Sequence, residues 1–423
     1  MNLHITSPEG ILEASVDLPL SKSMAARAII INSVGGFPNS LPLPQCTDTD
    51  CLRQALSVDQ GNVNIGGCGT AMRFLTAYYA AAPGTDIILD GDERMRKRPI
   101  KPLVDALLSL GADIEYMNTD GFAPLHIKGS TLLGGEISID ASTSSQFISA
   151  LMMVAPLMGS PLRIALDNEP ASLAYIKLTA KMMERCGVEP EFTYNGISVP
   201  NSPYTTPSTD IERDWSAASY WYSIAALSAG WVTLNDIHRD SMQGDSRMID
   251  IGEKLGVITA ESEDVDGALE LSASPEVFSR LDMDMSNTPD LVPAVAVMAA
   301  ALGVPFRFTG VNTLRHKECD RLEALKAEAL KMGWLFEIER DDVLSWENRR
   351  VPVTQLPRIA SHGDHRIAMA FAPLALMLPA IIIENAEVVD KSYPDFWVDL
   401  EQAGFIVADE DAVEKTDDNL LCD

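Results

Sequence analysis

Two carboxylates set among many cations are the chemistry-bearing residues of this sequence. Asp290, in NTPD, and Glu318, in HKECDRL, are the candidate acid/base groups, and Lys317, Arg321, Arg366 (in GDHR) and Lys391 (in VVDKSYPDFW) accompany them in the second half. The first half adds Lys22 and Arg27, in SKSMAAR, and Arg98, directly before Pro99 in GDERMRKRPI. Positioned carboxylates move protons, while arginines and lysines hold carboxylates or phosphates and stabilise charge that develops during reaction. The pattern points to chemistry on small anions, with cations in excess so that an anion is held or a dianion departs. Ser23, Ser144, Ser145 and Gln146 offer hydroxyls and an amide suited to phosphate oxygens. Gly69 and Thr70, in IGGCGTAMR, lie in a glycine loop that lets backbone approach a ligand, although its spacing is neither that of a P-loop nor of a dinucleotide fingerprint. Each segment alone has a plainer reading: serines cap helices, Glu318 and Arg321 can pair at i,i+3, and Asp290 can complement a helix dipole. Their joint occurrence favours a site.

Composition narrows the classes further. With 32 Lys and Arg against 61 Asp and Glu, the formal net charge is −29, which argues against nucleic acid or an anionic membrane as partner. The six cysteines show no CxxC spacing and read as reduced thiols, with Cys68 in the glycine loop the one thiol to consider as a nucleophile. No HxxxH or DxDxDG set appears, so no metal is expected. The start, MNLHITSPEG, lacks the pattern of a signal peptide. The apolar run from Ile367 to Ile383 contains Pro373 and Pro379 and reads as a buried helix followed by a strand. A soluble cytoplasmic protein is expected.

The elements that must position these residues repeat. Six apolar helices are expected to open at Ser21, Gly69, Ser144, Ser216, Thr288 and Gly363, at intervals of about 72–75 residues apart from a short first one. Five amphipathic helices are expected to stop at Gly111, Gly187, Gly256, Gly333 and Gly404, with the same period. With 423 residues, two domains of three α/β units each are the natural division. The short first unit has lost a piece, and the stretch 39–48, with Pro42 and Pro44, reads as loop and edge strand. The acidic tail from Asp409 reads as frayed. Helix starts aimed at a common place would form an anion trap.

Taken in order, LPLSKSMAAR, GGCGTAMRFL, GDERMRKRPI, SSQFISALMM, NEPASLAYI, DWSAASY, SMQGDSRM, NTPD, HKECDRL, GDHRIAMAF and DKSYPDFW resemble the 5-enolpyruvylshikimate-3-phosphate synthase family of enolpyruvyl transferases, from about Leu18 to Trp397. The resemblance implies a two-domain inside-out α/β barrel of six βαβαββ repeats, three per domain, divided as 1–19 plus 214–423 and 20–213, and closing over a cleft. It implies transfer of the enolpyruvyl group of phosphoenolpyruvate to the 5-hydroxyl of shikimate-3-phosphate, through a tetrahedral intermediate that expels phosphate, in aromatic amino-acid biosynthesis. It assigns shikimate-3-phosphate to Lys22, Ser23, Arg27, Ser144, Ser145, Gln146, Ser172, Tyr175, Asp290 and Lys317. It assigns phosphoenolpyruvate to Lys22, Gly69, Arg98, Gln146, Glu318, Arg321, Arg366 and Lys391, with Thr70 beside Gly69. Asp290, Glu318 and Lys22 become the catalytic candidates. No metal and no organic cofactor are implied, a monomer is expected, and glyphosate would compete with phosphoenolpyruvate. Departures from the family pattern are Ala25-Ala26 for Ser-Asn, Leu173-Ala174 for a basic-Pro pair and Gly67 for Asn. The alternatives are enolpyruvyl transfer to another hydroxyl acceptor such as a UDP-sugar, and an anion-binding paralogue without turnover.

Overall fold

The structure, a computed structural model, describes residues 1–412 except Ser40, Ala141, Thr143 and Glu169. Two strands, β1 (Leu3–Thr6) and β2 (Leu12–Val16), precede helices α1 (Lys22–Gly35) and α2 (Thr47–Ala55). Then follow β3 (Gln60–Asn64), α3 (Gly69–Ala81), β4 (Asp86–Asp90), α4 (Lys101–Ser109), β5 (Asp113–Tyr116) and β6 (Leu125–Lys128). The same order returns in β7 (Gly135–Ile139), α5 (Ser145–Val154), β8 (Leu162–Leu166), α6 (Leu173–Arg185), β9 (Glu191–Thr193) and β10 (Gly196–Val199). Next come α7 (Trp215–Leu227), β11 (Gly230–Leu234), α8 (Met248–Lys254), β12 (Val257–Glu261) and β13 (Leu269–Ala273). They are followed by β14 (Leu281–Asp284), α9 (Val292–Ala301), β15 (Phe306–Thr309), α10 (Arg321–Lys331), β16 (Glu337–Glu339) and β17 (Val343–Trp346). The last are β18 (Arg358–Ala360), α11 (His365–Phe371), β19 (Ile381–Glu384), α12 (Phe396–Gln402) and β20 (Ile406–Asp409).

The chain divides into two compact units, residues 1–19 with Arg213 onward, and Leu20–Glu212. Arg213, expected at the end of the second, belongs with the first, where its Nη1 donates to the Leu18 carbonyl at 2.7 Å. The first unit holds three four-stranded sheets, β12-β13-β11-β2, β14-β15-β17-β16 and β18-β19-β1-β20. Each is one parallel pair extended by two antiparallel strands. A parallel pair needs a crossover. In the β14 and β18 sheets that crossover is an apolar helix, α9 and α11; between β2 and β11 it is the whole second unit together with α7. Every residue of α9 and α11 is buried, and α7, α9 and α11 pack on one another beneath their sheets. Helices lacking a polar face belong inside, with sheets around them.

The second unit repeats the scheme in β3-β4-β6-β5 and β7-β8-β10-β9, with α1, α3 and α5 packed together. Its first repeat consists of α1 and α2 alone. No strand forms at 39–48 among the described residues, where α2 already begins at Thr47, so the expected edge strand is absent; Pro42 and Pro44 remove ladder donors there. The five glycines expected to stop the amphipathic helices all have left-handed backbones, from φ 77° at Gly256 to 93° at Gly404. The apolar run near the C-terminus is α11, a 3-10 turn and β19, and no helix of the described residues is long and apolar enough to cross a membrane. The acidic tail begins later than expected. Asp409 pairs with Leu3 in the sheet and Glu410 accepts from Arg358 at 3.1 Å; residues 413–423, including Cys422, lie outside the described part.

Candidate active site

In the first unit, loops and helix starts deliver charged side chains to one cluster. Asp290 sits in the turn after β14, two residues before α9 rather than in its first turn as expected, because α9 begins only at Val292. Lys317 and Glu318 stand in the turn that leads into α10, and Arg321 is the first residue of that helix. Asp320 caps α10 by accepting the Glu323 N–H at 3.2 Å, and Asp364 caps α11 by accepting the Arg366 N–H at 3.0 Å. Lys391 closes the 3-10 turn before α12.

Arg321 is the hub. It is 1% exposed, and donates Nη1 to Asp290 (2.9 Å), Nη2 to Glu318 (2.7 Å) and Nε to Asp364 (2.7 Å). Arg366 Nη2 donates to the second Asp290 oxygen at 2.9 Å, Lys317 Nζ stands 3.5 Å from Asp290, and Lys391 Nζ 3.8 Å from Glu318. Burial alone would raise the Asp290 carboxyl. Arg366, Lys317 and Arg321 outweigh that and hold it well below the usual carboxylate range. Burial lowers the Lys317 ammonium from its ordinary value. Arg321 stays charged despite its burial because Asp364, Glu318 and Asp290 surround it.

The excess of cations is smaller in this cluster than the sequence alone suggests. Asp364 and Asp245, which sequence reasoning did not single out as site residues, stand against the four cations beside Asp290 and Glu318. Asp364 reads in sequence as a plain helix cap, and here it caps α11 and holds Arg321 together. Asp245, in SMQGDSRM, is 4% exposed and accepts from the Ser216 hydroxyl. Burial first, then repulsion by Asp290, pushes its carboxyl up to about 7. An unfolded Asp titrates near 3.9, so the folded chain retains an extra proton between about pH 4 and 7. The stability Asp245 contributes is therefore full below about pH 4 and is lost as pH rises to about 7. Asp245→Asn is expected to lose less stability between pH 5 and 8 than the wild type in urea titrations; equal losses would refute this assignment.

The second unit holds the other candidates. Lys22 Nζ donates to Asp48 on α2 at 3.1 Å, a counter-charge that was not foreseen from TDTD. Arg27 is 3% exposed and its hydrogen-bond partners are neutral: Thr179 Oγ1 at 2.7 Å, the Ser23 carbonyl at 2.8 Å, the Tyr175 carbonyl at 3.3 Å and Ser149 Oγ at 3.5 Å. Burial lowers its guanidinium to about 10, which leaves it charged at neutral pH. The Tyr175 ring centre lies 5.8 Å from the Arg27 carbon. Ser172, directly before α6, is a buried non-glycine residue in the left-handed region at φ 59°. Such strain marks sites where structure is over-determined.

The basic run 94–101 splits by function. Arg96 is paired with Asp90, Lys97 with Glu93 at 2.7 Å and Lys101 with Asp105 at 3.2 Å, all on the surface. Arg98 turns in, forms no ion pair among the described residues, and lies against Gly69 at the start of α3, where Arg73 also donates to the Gly69 carbonyl at 2.9 Å. Gln146 Nε2 donates to Thr70 Oγ1 at 3.0 Å, while Ser144 caps α5 by accepting the Gln146 N–H at 3.3 Å, and Ser145 is buried behind it. Cys68 is no nucleophile: burial first, then Asp48, pushes its thiol well above the ordinary value, and its sulfur caps α3 by accepting from Ala71 at 3.4 Å. No group of three or more His, Cys, Asp and Glu suited to a metal occurs among the described residues.

Comparison with known proteins fits this architecture. A sequence model described as EPSP synthase (3-phosphoshikimate 1-carboxyvinyltransferase) matches residues 44–400. A relative from Bacteroides fragilis named 3-phosphoshikimate 1-carboxyvinyltransferase is 43% identical over 405 residues, covering 95% of this chain and 98% of its own. One from Syntrophobacter fumaroxidans with the same name is 33% identical over 419 residues, covering 92% and 97%. An EPSP synthase structure from Acinetobacter baumannii shares the fold at a TM-score of 0.73 and 20% identity, covering 96% of this chain and all of its own. None of these matches favours the UDP-sugar or non-catalytic alternatives. On the extent of the family match and of its relatives, the chain belongs to the EPSP synthase (3-phosphoshikimate 1-carboxyvinyltransferase) family.

Proposed function

We propose that this chain transfers the enolpyruvyl group of phosphoenolpyruvate to the 5-hydroxyl of shikimate-3-phosphate and releases phosphate, by addition and then elimination. The observation that carries the residue assignment is Asp290 gripped by Arg321, Arg366 and Lys317. In that grip the carboxylate is ionised but weakly basic. A substrate carboxylate or phosphate that takes up Arg366 and Arg321 adds negative charge beside Asp290 and raises its proton affinity. Asp290 thus becomes an effective base only once substrate is bound, and takes the 5-hydroxyl proton as oxygen attacks C2. Glu318, protonated once bound anions take up Arg321 and Lys391, delivers its proton to C3 in the addition and recovers one from C3 in the elimination; Lys22 protonates the bridging oxygen of the departing phosphate, and the proton taken up by Asp290 makes good that loss.

Arg366, Arg321, Lys391 and Arg98 hold the anionic groups of phosphoenolpyruvate; Arg27, Ser144, Ser145, Gln146, Ser172 and Tyr175 hold shikimate-3-phosphate. Each charge-assisted contact contributes about 1.5–3 kcal/mol, so several acting together are needed for an enzyme's rate. Phosphate release from the purified protein must require both substrates; release with either one alone, or none with both, would overturn the reading. The same reading takes the chain as a cytoplasmic monomer. The five cysteines of the described residues are free thiols, which fits a reducing compartment, and light scattering checks the mass.

Gly69 offers a sharper test of the phosphoenolpyruvate assignment. A Cβ there would sit 2.8 Å from Arg73 Nη1 and 2.9 Å from Arg98 Cζ, so both guanidinium groups must move. Gly69→Ala is expected to raise the KM for phosphoenolpyruvate roughly tenfold, as the loss of about 1.4 kcal/mol of binding implies, and to weaken glyphosate inhibition with it. An unchanged KM and unchanged inhibition would remove Arg98 from the site.

A further inference from the structure

Glu328 and His362 make no part of the chemistry above, yet they are built like a clamp. Glu328, on α10, is 1% exposed and ringed by donors: the Ala360 N–H at 3.0 Å, His362 Nε2 at 2.8 Å and Lys331 Nζ at 2.7 Å. Lys331 in turn donates to the Arg358 carbonyl at 2.8 Å, so the second half of α10 grips both the end of β18 and the loop after it. That loop is tightly wound. His362 stands in the left-handed region at φ 54°, the Ser361 carbonyl accepts the Asp364 N–H at 2.9 Å, and Ser361 is fully buried. Two residues further, Asp364 returns to the same helix and binds Arg321. Residues 321 and 328 are seven apart and therefore lie on one face of α10. The loop 360–366 is consequently held at both ends by one helix, with Arg366 at its far end reaching Asp290.

We propose that the Glu328–His362 pair is a positioning device for Arg366 and Asp364, which sets how phosphoenolpyruvate is held; this rests on the transferase reading above. A left-handed non-glycine residue is strained and persists only where its surroundings impose it. The pair supplies that imposition, with His362 Nε2 held 2.8 Å from Glu328 while its backbone is wound in. Without it the loop relaxes and Arg366 leaves the geometry that a bidentate hold on a carboxylate needs.

The test compares wild type, His362→Ala, His362→Gln and Glu328→Gln in steady-state kinetics with both substrates varied. His362→Ala and Glu328→Gln are expected to raise the KM for phosphoenolpyruvate by about tenfold, within the range that a 1 Å misplacement of a binding group produces. The KM for shikimate-3-phosphate should stay unchanged. His362→Gln, whose amide can occupy the place of Nε2 and donate to Glu328, is expected to recover most of the loss. Equal effects on both substrates, no effect in His362→Ala, or no rescue by Gln would overturn the clamp. Hydrogen exchange of the amides of residues 361–366 reads the clamp independently of turnover, with faster exchange expected in His362→Ala and equal exchange refuting it. A wild type that consumes neither substrate would sink the transferase reading and leave that exchange measurement standing.

Discussion

Asp290→Asn is expected to lower kcat for phosphate release by about three orders of magnitude, within the range seen for loss of a general base. Asparagine keeps the shape of the side chain and can still accept from one guanidinium, so the cluster persists. What it loses is the capacity to take a proton and one full negative charge. Arg366, Arg321 and Lys317 then lack their shared counter-ion. Those cations should hold an anionic substrate at least as well as before, so the KM for phosphoenolpyruvate should stay level or fall. That division separates a base from a binding residue. A variant with kcat within about tenfold of wild type and a raised KM would make Asp290 a binding group only.

Arg321→Gln is the substitution expected to cost the most stability, about 3–5 kcal/mol, the range for removing one partner of a buried ion pair. Asp290, Glu318 and Asp364 all accept from this one guanidinium and share its charge, and Asp364 is wholly buried. Glutamine can satisfy at most part of that geometry and none of the charge. The pH dependence has a definite sign. A carboxyl held below its unfolded value, as Asp290 is, contributes stability that is present above about pH 4 and is lost as pH falls through the folded value. Removing Arg321 lets the stranded carboxyls protonate at higher pH. The deficit of the variant should therefore be largest at pH 7 and shrink towards pH 4.5 in urea titrations. A deficit under about 1 kcal/mol at pH 7, the scale of an exposed pair, would show that the hub contributes no more than a surface ion pair.

Much of this was legible in the sequence because it depends on local, periodic signals. Glycines that end amphipathic helices and small polar residues that open apolar ones recur at a fixed interval, and both follow from backbone geometry alone. The clustering of Asp290 with Lys317, Glu318, Arg321, Arg366 and Lys391 was legible for a related reason, since every one of them stands within five residues of a helix start. The counter-charges were not. Asp48, Asp245 and Asp364 look like ordinary helix-start aspartates, and only the packing of one element on another shows that they face Lys22, Ser216 and Arg321. Arg27 was legible as a cation, but not the ring of neutral hydroxyls and carbonyls that Thr179, Ser149 and Tyr175 build around it. The clamp from Glu328 to His362 joins residues 34 apart, and neither carries a motif. The lost sheet of the first repeat was foreseen as a shortening, though a strand was still expected where two prolines forbid it.

The placing of β1 between β19 and β20 has a consequence for the order in which this protein is made. Leu20–Glu212 is one continuous stretch, complete in its own contacts as soon as it has been synthesised. The other unit has parts on both sides of that stretch and is completed only with β20, since β1 has its hydrogen-bonding neighbours at both edges supplied from residues 381–409. A strand translated before the whole inserted unit is thus among the last to be paired. During synthesis, β1 and β2 must wait as exposed extended segments while the entire inserted unit folds behind them, a period in which unpaired strand edges invite wrong partners. Their brevity, with four and five residues, limits that hazard.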